Sequence, residues 1–165
     1  MRHVELDAVV RSEKAGHVFE NVITWERYPR LAPHVRAATV HATLPSGIGR
    51  SSWELHFRSG LLRWTEEERF LPELGEIHFE QTDGDFDSFA GRWHITQSGD
   101  DVLVRFDADF DFGIPSLEGI LDPIAERVIR ETVAWALTGL FAGTEIRGDH
   151  APGAPGAAVV GGATP

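Results

Sequence analysis

The chain has 165 residues, 42% of them hydrophobic and 25% charged, with a formal net charge of −11 and no cysteine. This composition is typical of one globular domain, and it excludes a disulfide framework and a thiolate metal site. Because acidic residues outnumber basic ones, it disfavours a nucleic-acid or anionic-membrane surface and suits a small neutral or weakly acidic ligand. No signal-peptide stretch or membrane-length apolar run is present, so we expect a cytoplasmic protein without membrane insertion.

The first elements of the chain are a strand and two short helices. Alternating apolar and polar residues predict a strand over about 2–10. Ser12 is placed to cap a helix over 15–23, and Thr24 is placed to cap a second helix over 25–28.

From residue 37 onward the pattern changes to strands separated by turns rich in Gly, Pro, Ser and Asp. The predicted strands cover about 35–43, 50–58, 61–71, 76–81, 87–97 and 102–112. Because no helix interrupts them, they predict an antiparallel meander.

A long helix is predicted at the end of the domain, over 116–141. Its apolar residues recur at spacings of three and four, which places them on one face: Leu117, Ile120, Leu121, Ile124, Val128, Thr132 and Trp135. After Glu131 the sequence is apolar nearly all round, so this half of the helix must be covered on several sides. Its apolar end, 135–141, permits a homodimer but does not require one.

These elements predict an α+β fold in a single domain over 1–147. A curved antiparallel sheet of about six to seven strands grips the long helix, with a cavity between them. The segment 148–165 consists mainly of Gly, Ala and Pro, and we expect it to be disordered.

Four segments then carry a resemblance to a known family. They are VFENVITWERYPRLAPHVRAATV, LRWTEEERFLP, GDFDSFAGRWHI and VRFDADFDFGIP, which occur in that order before the long helix. Together they resemble the polyketide cyclase/aromatase and coenzyme-Q-binding group of START-like (SRPBCC) proteins, over about residues 3–142.

The resemblance implies a helix-grip fold of the START/Bet v 1 type around a hydrophobic cavity. In the aromatase members, that cavity folds a poly-β-ketone chain and promotes aldol ring closure and dehydration without a metal or an organic cofactor. In the quinone-binding members, the cavity only holds a lipid.

Turn arithmetic predicts which side chains of one hairpin point inward. If residues 59–60 form a two-residue loop, Trp53 lies opposite Glu66 and Ser51 lies opposite Glu68. Opposed residues share a face, so Glu66 and Glu68 point inward with Trp53. A three-residue loop would instead turn Arg69, and every second residue before it on the same strand, inward.

Two inward glutamates suggest acid/base chemistry. The Cα atoms of Glu66 and Glu68 would lie roughly 6–7 Å apart at about 3.3 Å per residue. In a partly dry cavity, one of them would have a raised pKa and could remove the acidic proton of a β-ketone, then protonate the departing hydroxyl. Alternatively, Glu68 lies at a solvated rim and Glu66 pairs with a cation.

Three residues near the two short helices are further candidates. His34 could act as a helper or alternate base at the cavity mouth, or it is a surface residue. Tyr28 could donate a hydrogen bond to a substrate carbonyl, although packing of the helix pair is the other role open to Tyr28 and Trp25.

The next hairpin has a simpler pattern. A four-residue turn over 98–101 pairs Trp93 with Phe106, and both point inward. The same alternation sends an acidic row of Asp107, Asp109 and Asp111 outward, so we reject it as a metal site. Gly91 either leaves room for a ligand or serves a bend in the sheet.

The chain departs from the aromatase pattern where that pattern has a cavity arginine. Aromatase members carry a cavity arginine four residues after a strand tryptophan, and counting from Trp64 that position is Glu68. Arg69 follows one residue later and enters the cavity only if a bulge shifts the strand.

The leading hypothesis is therefore a cofactor-free polyketide cyclase/aromatase. It would bind a polyketide or related apolar ketone, with or without presentation by an acyl carrier protein. The predicted catalytic residues are Glu66, Glu68 and His34. The predicted substrate-binding residues are Trp25, Tyr28, Trp53, Trp64, Arg69, Phe89, Trp93, Phe106, Leu121, Ile124 and Val128.

Two rival hypotheses remain. One is a non-catalytic carrier of a quinone or lipid, which gains nothing from buried carboxylates. The other is a protein-interaction role for the acidic outer surface.

Overall fold

An antiparallel sheet wraps around one long helix in the computed structural model, which describes residues 1–148. The strands are β1 (Arg2–Val10), β2 (Val35–Ala42), β3 (Ile48–Phe57), β4 (Gly60–Leu71), β5 (Glu76–Gly84), β6 (Ser88–Ser98), β7 (Asp101–Asp111) and β8 (Thr144–Ile146). The helices are α1 (Ala15–Val22), α2 (Tyr28–Leu31) and α3 (Glu118–Leu140), and short 3-10 turns cover Trp25–Arg27, Pro72–Leu74 and Pro115–Leu117.

The described residues form one eight-stranded sheet in the order β2-β3-β4-β5-β6-β7-β1-β8. The prediction of an antiparallel meander is confirmed, but the predicted six to seven strands omit β8. That strand has only three residues and pairs with Ala8–Val10 on the free edge of β1. A segment this short shows no period-two pattern, so it could be recognised only from its pairing.

Thr24 stands at the N-cap position of the turn Trp25–Arg27, as predicted, whereas Lys14 and not Ser12 stands at that of α1, and neither helix has a side-chain cap hydrogen bond. Ser12 lies outside α1 at φ 55°, where its backbone N–H donates to Asp101 Oδ1 at 3.0 Å. The hydroxyl of Thr24 donates backward to the carbonyl oxygen of Asn21 at 2.5 Å. The Thr24 hydroxyl is thus used by the end of α1 and not by the turn that follows it.

The long helix is covered as its composition predicted, but along a different face. All residues from Thr132 to Leu137 are buried, which confirms that its second half is enclosed on several sides. In contrast, Leu117 and Ile120 are 37% and 54% exposed. The first turns therefore project beyond the sheet, and the predicted apolar stripe does not describe them.

The hairpin of β6 and β7 has the predicted register. Trp93 lies opposite Phe106 and Ile95 opposite Val104, and all four are buried. Asp109, on the same strand as Phe106, is exposed. This hairpin places apolar side chains under α3 and charges outside.

The predicted disordered tail, 148–165, lies outside the described residues from 149 onward. Within residues 1–148, no helix is both long enough and apolar enough to cross a bilayer.

Candidate active site

The hairpin of β3 and β4 has a register that differs by two residues from the predicted one. Its turn is formed by Arg58, at φ 57°, and Ser59, so that Phe57 pairs with Gly60. Trp53 consequently lies opposite Trp64, and their rings stack with centroids 5.9 Å apart. Because the shift is even, each side chain keeps its predicted face.

Two carboxyl groups therefore point into the interior. Glu66 is 5% exposed and Glu68 is fully buried, as is Ser51 on the neighbouring strand. No Arg, Lys or His among residues 1–148 forms an ion pair with either glutamate. The alternatives of a solvated rim for Glu68 and a cation partner for Glu66 are both contradicted.

Neutral donors hold this carboxyl pair. The indole N–H of Trp64 donates to Glu66 Oε1 at 2.8 Å. The indole of Trp53 donates to Ser51 Oγ at 2.8 Å, and Ser51 donates in turn to Glu68 Oε2 at 2.6 Å. Glu68 Oε1 has no hydrogen-bond partner within the described residues.

The electrostatics of the pair favour a bound proton. Burial raises the pKa of Glu66 well above its ordinary value, and the neighbouring carboxyl of Glu68 raises it further. The hydrogen bond from Trp64 opposes this shift but does not cancel it. Two acids that share a dry site without a cation cannot both ionise readily, so this geometry favours a proton bound at Glu66.

Glycine makes room for the inner member of the pair. Gly49 lies directly opposite Glu68 in the sheet. A Cβ atom at Gly49 would lie 2.6 Å from the ring of Phe70 and 2.8 Å from Glu68 Oε1. The bare backbone at this position is therefore needed for the carboxyl group and the aromatic ring to fit.

Glu66 faces a small internal space of about 60 Å³ between the sheet and α3. Most of the predicted substrate-binding residues line it, namely Trp25, Tyr28, Trp53, Trp64, Phe89, Trp93 and Phe106. Sites for drug-sized ligands typically enclose about 300–1,000 Å³. The space therefore takes a large ligand only if the surrounding side chains move.

The helix wall of this space differs from the prediction. Ile129, Thr132 and Val133 line it, whereas Leu121, Ile124 and Val128 do not. Leu121 and Ile124 are only half-buried, and Val128 is buried in the core away from the space. The sequence is apolar on several sides of this helix, so periodicity alone did not identify the face toward the sheet.

Arg69 lies on the outer surface, so its predicted role in substrate binding is wrong. It is exposed and sits opposite Ile48 and His78. The sheet does contain a bulge nearby, but the extra residue, Thr82, is on β5. The alternation of β4 is therefore unbroken, and Arg69 stays outside.

His34 is placed beside α3 and is not among the residues that line the internal space. Its Nε2 lies 2.9 Å from Glu131 Oε1, and its ring centroid lies 4.8 Å from that of Trp135. The imidazole is thus engaged with two residues of α3. The structure does not bring it together with the two inward glutamates.

Trp25 and Tyr28 combine packing with a position at the site. The Tyr28 hydroxyl donates to the carbonyl oxygen of Val22 at 2.7 Å. Burial raises the pKa of Tyr28, and the nearby Glu66 raises it further, so the phenol remains neutral. The indole of Trp25 packs against both Tyr28 and Trp53, at centroid distances of 5.4 and 5.8 Å.

Several contributors to the site are not among the residues predicted from the sequence. Ser51 was placed on the inner face without a role, although a hydroxyl among inward aromatic residues indicates a polar partner. Phe79 and Leu55 also line the space.

Gly91 does not leave room for a ligand, because a Cβ there would lie 2.3 Å from the carbonyl oxygen of Asp107. Among residues 1–148, no group of three His, Asp or Glu side chains could hold a metal ion.

Comparison with protein families supports one assignment. The family model described as "Polyketide cyclase / dehydrase and lipid transport" matches residues 13–137. No curated protein sequence matches the chain.

Solved structures show the same fold. TTHA0849 from Thermus thermophilus has a TM-score of 0.74 at 24% identity, over 84% of this chain and 94% of that one. The Zhui aromatase/cyclase from Streptomyces sp. R1128 has a TM-score of 0.71 at 16% identity, over 84% and 93%. A START superfamily protein from Mycobacterium smegmatis has a TM-score of 0.70 at 20% identity, over 85% and 97%. The predicted START-like helix-grip fold is confirmed.

Proposed function

Because the chain belongs to the polyketide cyclase, dehydrase and lipid transport family, we propose that it is a cofactor-free cyclase. It binds a polyketide or related apolar ketone next to Glu66 and promotes aldol or dehydrative ring closure by proton transfer. The observation that carries the proposal is the carboxyl pair of Glu66 and Glu68, buried among aromatic side chains without a cation partner. Burial of two acids costs folding free energy, which a purely structural role does not repay.

The two glutamates have different roles in this proposal. Glu66 lines the internal space, whereas Glu68 lies behind it and is held by Ser51. Glu66 is therefore the group that touches the substrate. Glu68 is the neighbour with which Glu66 shares a proton. The pair can therefore pass between a singly ionised and a neutral state without moving a charge into water.

The chemistry follows from that sharing. The ionised pair removes a proton from a carbon next to one carbonyl group, and the resulting enolate attacks the carbon of a second carbonyl group in the same molecule to form the new C–C bond. The oxygen of that second carbonyl takes up a proton and becomes a hydroxyl. Loss of a further α-proton and protonation of the hydroxyl release water and leave a conjugated ring.

The test uses 2,6-heptanedione, a small diketone that closes to 3-methylcyclohex-2-enone with loss of water. Formation of the conjugated enone is followed by ultraviolet absorbance. We expect the protein to accelerate the reaction, and Glu66→Gln to lower kcat by about 10²-fold or more, the usual contribution of a general acid or base. Glu68→Gln should also lower it.

The matched control is Glu67→Gln, because Glu67 is exposed on the same strand between the two. Its rate should equal that of the wild type. If the wild type does not accelerate closure, or if both inward variants keep its rate while the diketone still binds, the acid/base proposal is wrong.

Carriage of a quinone or lipid is the second candidate. It is favoured by the apolar lining of the space and by the lipid transport in the family's description. A carrier would bind a short-chain quinone equally well or better after Glu66→Gln and would form no enone. Presentation of the substrate by an acyl carrier protein, a cytoplasmic location and a homodimer remain predictions.

A further inference from the structure

One side chain that lines the internal space has a buried polar atom without a hydrogen-bond partner among residues 1–148. Trp25 is 3% exposed, and its indole Nε1–H has no hydrogen-bond acceptor within the described residues. Buried polar groups in folded proteins are nearly always hydrogen-bonded, so such a donor calls for an acceptor that the protein itself does not supply.

The neighbouring indoles show the contrast. Those of Trp53 and Trp64 donate to Ser51 and Glu66 at 2.8 Å each. The Tyr28 hydroxyl, which could have served a ligand, donates to Val22 instead. Of the indoles that line the space, that of Trp25 is the one whose N–H is fully buried and has no acceptor within the described residues.

Charge limits what this donor can bind. The residues that line the space include Glu66 but no Arg, Lys or His. A carboxylate or phosphate ligand would therefore meet a carboxyl pair without a compensating cation, which is unfavourable in a site of low polarity. A neutral carbonyl oxygen is the acceptor that suits a lone indole N–H beside these acids.

We propose that the indole N–H of Trp25 binds a carbonyl oxygen of the ligand, so that it selects neutral ketones over hydrocarbons of the same shape. This inference rests on the proposed function and adds the oxygen-binding group that Arg69, on the outer surface, does not provide. As the enolate forms, its oxygen gains negative charge and accepts a stronger hydrogen bond from Trp25. Trp25 is thus a positioning group for the carbonyl, in the same space that Glu66 lines.

The experiment compares cyclopentanone with methylenecyclopentane, which has nearly the same shape but no oxygen. The indole ¹H–¹⁵N signals of the five tryptophans are assigned by substitution and followed during titration. We expect cyclopentanone to move the Trp25 N–H signal downfield. Methylenecyclopentane should cause no downfield shift, because it has no oxygen to accept the hydrogen bond. The signals of Trp53 and Trp64, whose protons are already engaged, serve as internal controls.

A second measurement removes the donor while keeping the ring. Trp25 is replaced by β-(3-benzothienyl)alanine, in which sulfur takes the place of N–H, and Trp25→Phe serves as the ordinary variant. In the benzothienyl variant, the dissociation constant of cyclopentanone relative to that of methylenecyclopentane should rise by about fivefold, the factor that one neutral hydrogen bond gives. Circular dichroism verifies that each variant is folded.

The inference is overturned if cyclopentanone causes no downfield shift of Trp25, or if the benzothienyl variant keeps the ketone preference. Either result leaves the proposed function intact provided that diketone closure still depends on Glu66. Conversely, a Trp25 shift without any ring closure supports the carbonyl site and counts against the cyclase.

Discussion

The hairpins β3–β4 and β6–β7 face the same internal space with opposite chemistry. In β6–β7 the inward row is apolar, with Trp93 and Phe106 opposed, and the acidic residues lie outside. In β3–β4 the same alternation places Glu66 and Glu68 inside, next to stacked indoles. Strand periodicity decides the face of each residue but not its polarity, so the inward acids stand out against the pattern.

The outer acids of β6–β7 and neighbouring β1 have cations that the inner pair lacks. Arg105 donates to Asp7 at 2.9 Å and to Glu5 at 2.8 Å on the exposed face. Such solvent-exposed ion pairs contribute little to the free energy of unfolding. The inner pair is held only by neutral donors, and burial raises the pKa of Glu66. This difference separates a surface network from a candidate site.

The apolar hairpin should show the largest effect on stability. Phe106→Ala removes a buried ring from the wall of the space and should lower the free energy of unfolding by about 3–5 kcal/mol. The control is Leu103→Ala on the same strand, because Leu103 is 44% exposed. That change should stay within about 0.5 kcal/mol. Chemical denaturation measures both, and equal losses would contradict the assignment of faces.

A smaller effect is expected where the acid pair is packed. Gly49→Ala inserts a methyl group 2.6 Å from the ring of Phe70, beside the carboxyl of Glu68. The overpacked site should lose about 1–3 kcal/mol in chemical denaturation. Gly47→Ala is the control, because nothing lies within 4 Å of a Cβ at Gly47. If both glycines tolerate alanine equally, Glu68 is not confined as described.

The pH dependence of stability gives the sharpest contrast between the hairpins. The folded protein binds the Glu66 proton more tightly than the unfolded chain does, because the pKa of Glu66 is raised from 4.5. Its contribution to the free energy of unfolding is therefore complete below that ordinary value, and is lost as pH rises through the folded pKa. Glu66→Gln should remove this decline, so its stability relative to wild type should increase as the pH rises above about 4.5.

The exposed neighbour again provides the control, since Glu67→Gln should leave the pH profile unchanged. Chemical denaturation of the wild type and both variants at a series of pH values measures these profiles. A wild-type profile that Glu66→Gln does not alter would mean that Glu66 titrates as an ordinary surface acid.

Much of the fold followed from local patterns. The strands, the long helix and the register of β6–β7 were predicted from alternation and turn length. The inward direction of Glu66 and Glu68 was also correct, although the β3–β4 register was wrong by two residues. Side chains on a strand alternate with a period of two, so an even error leaves their faces unchanged.

The failures share a long-range cause. Gly60 suggested the turn, but the actual turn uses Arg58 and Ser59, which aligns Trp53 with Trp64 for stacking. The helix presents Ile129 and Val133 to the space, because an element that is apolar nearly all round can pack in several rotations.

The sequence by itself determined the order of the elements, the antiparallel meander and which residues share a face. These depend on backbone geometry over a few residues and on the separation of apolar from charged side chains. Only the tertiary structure decided that Glu66 reaches the space while Glu68 lies behind it, and that Arg69 and His34 stay away. Only it showed that Trp25 keeps a free donor. Those outcomes depend on contacts between segments far apart in the chain, and no local pattern encodes them.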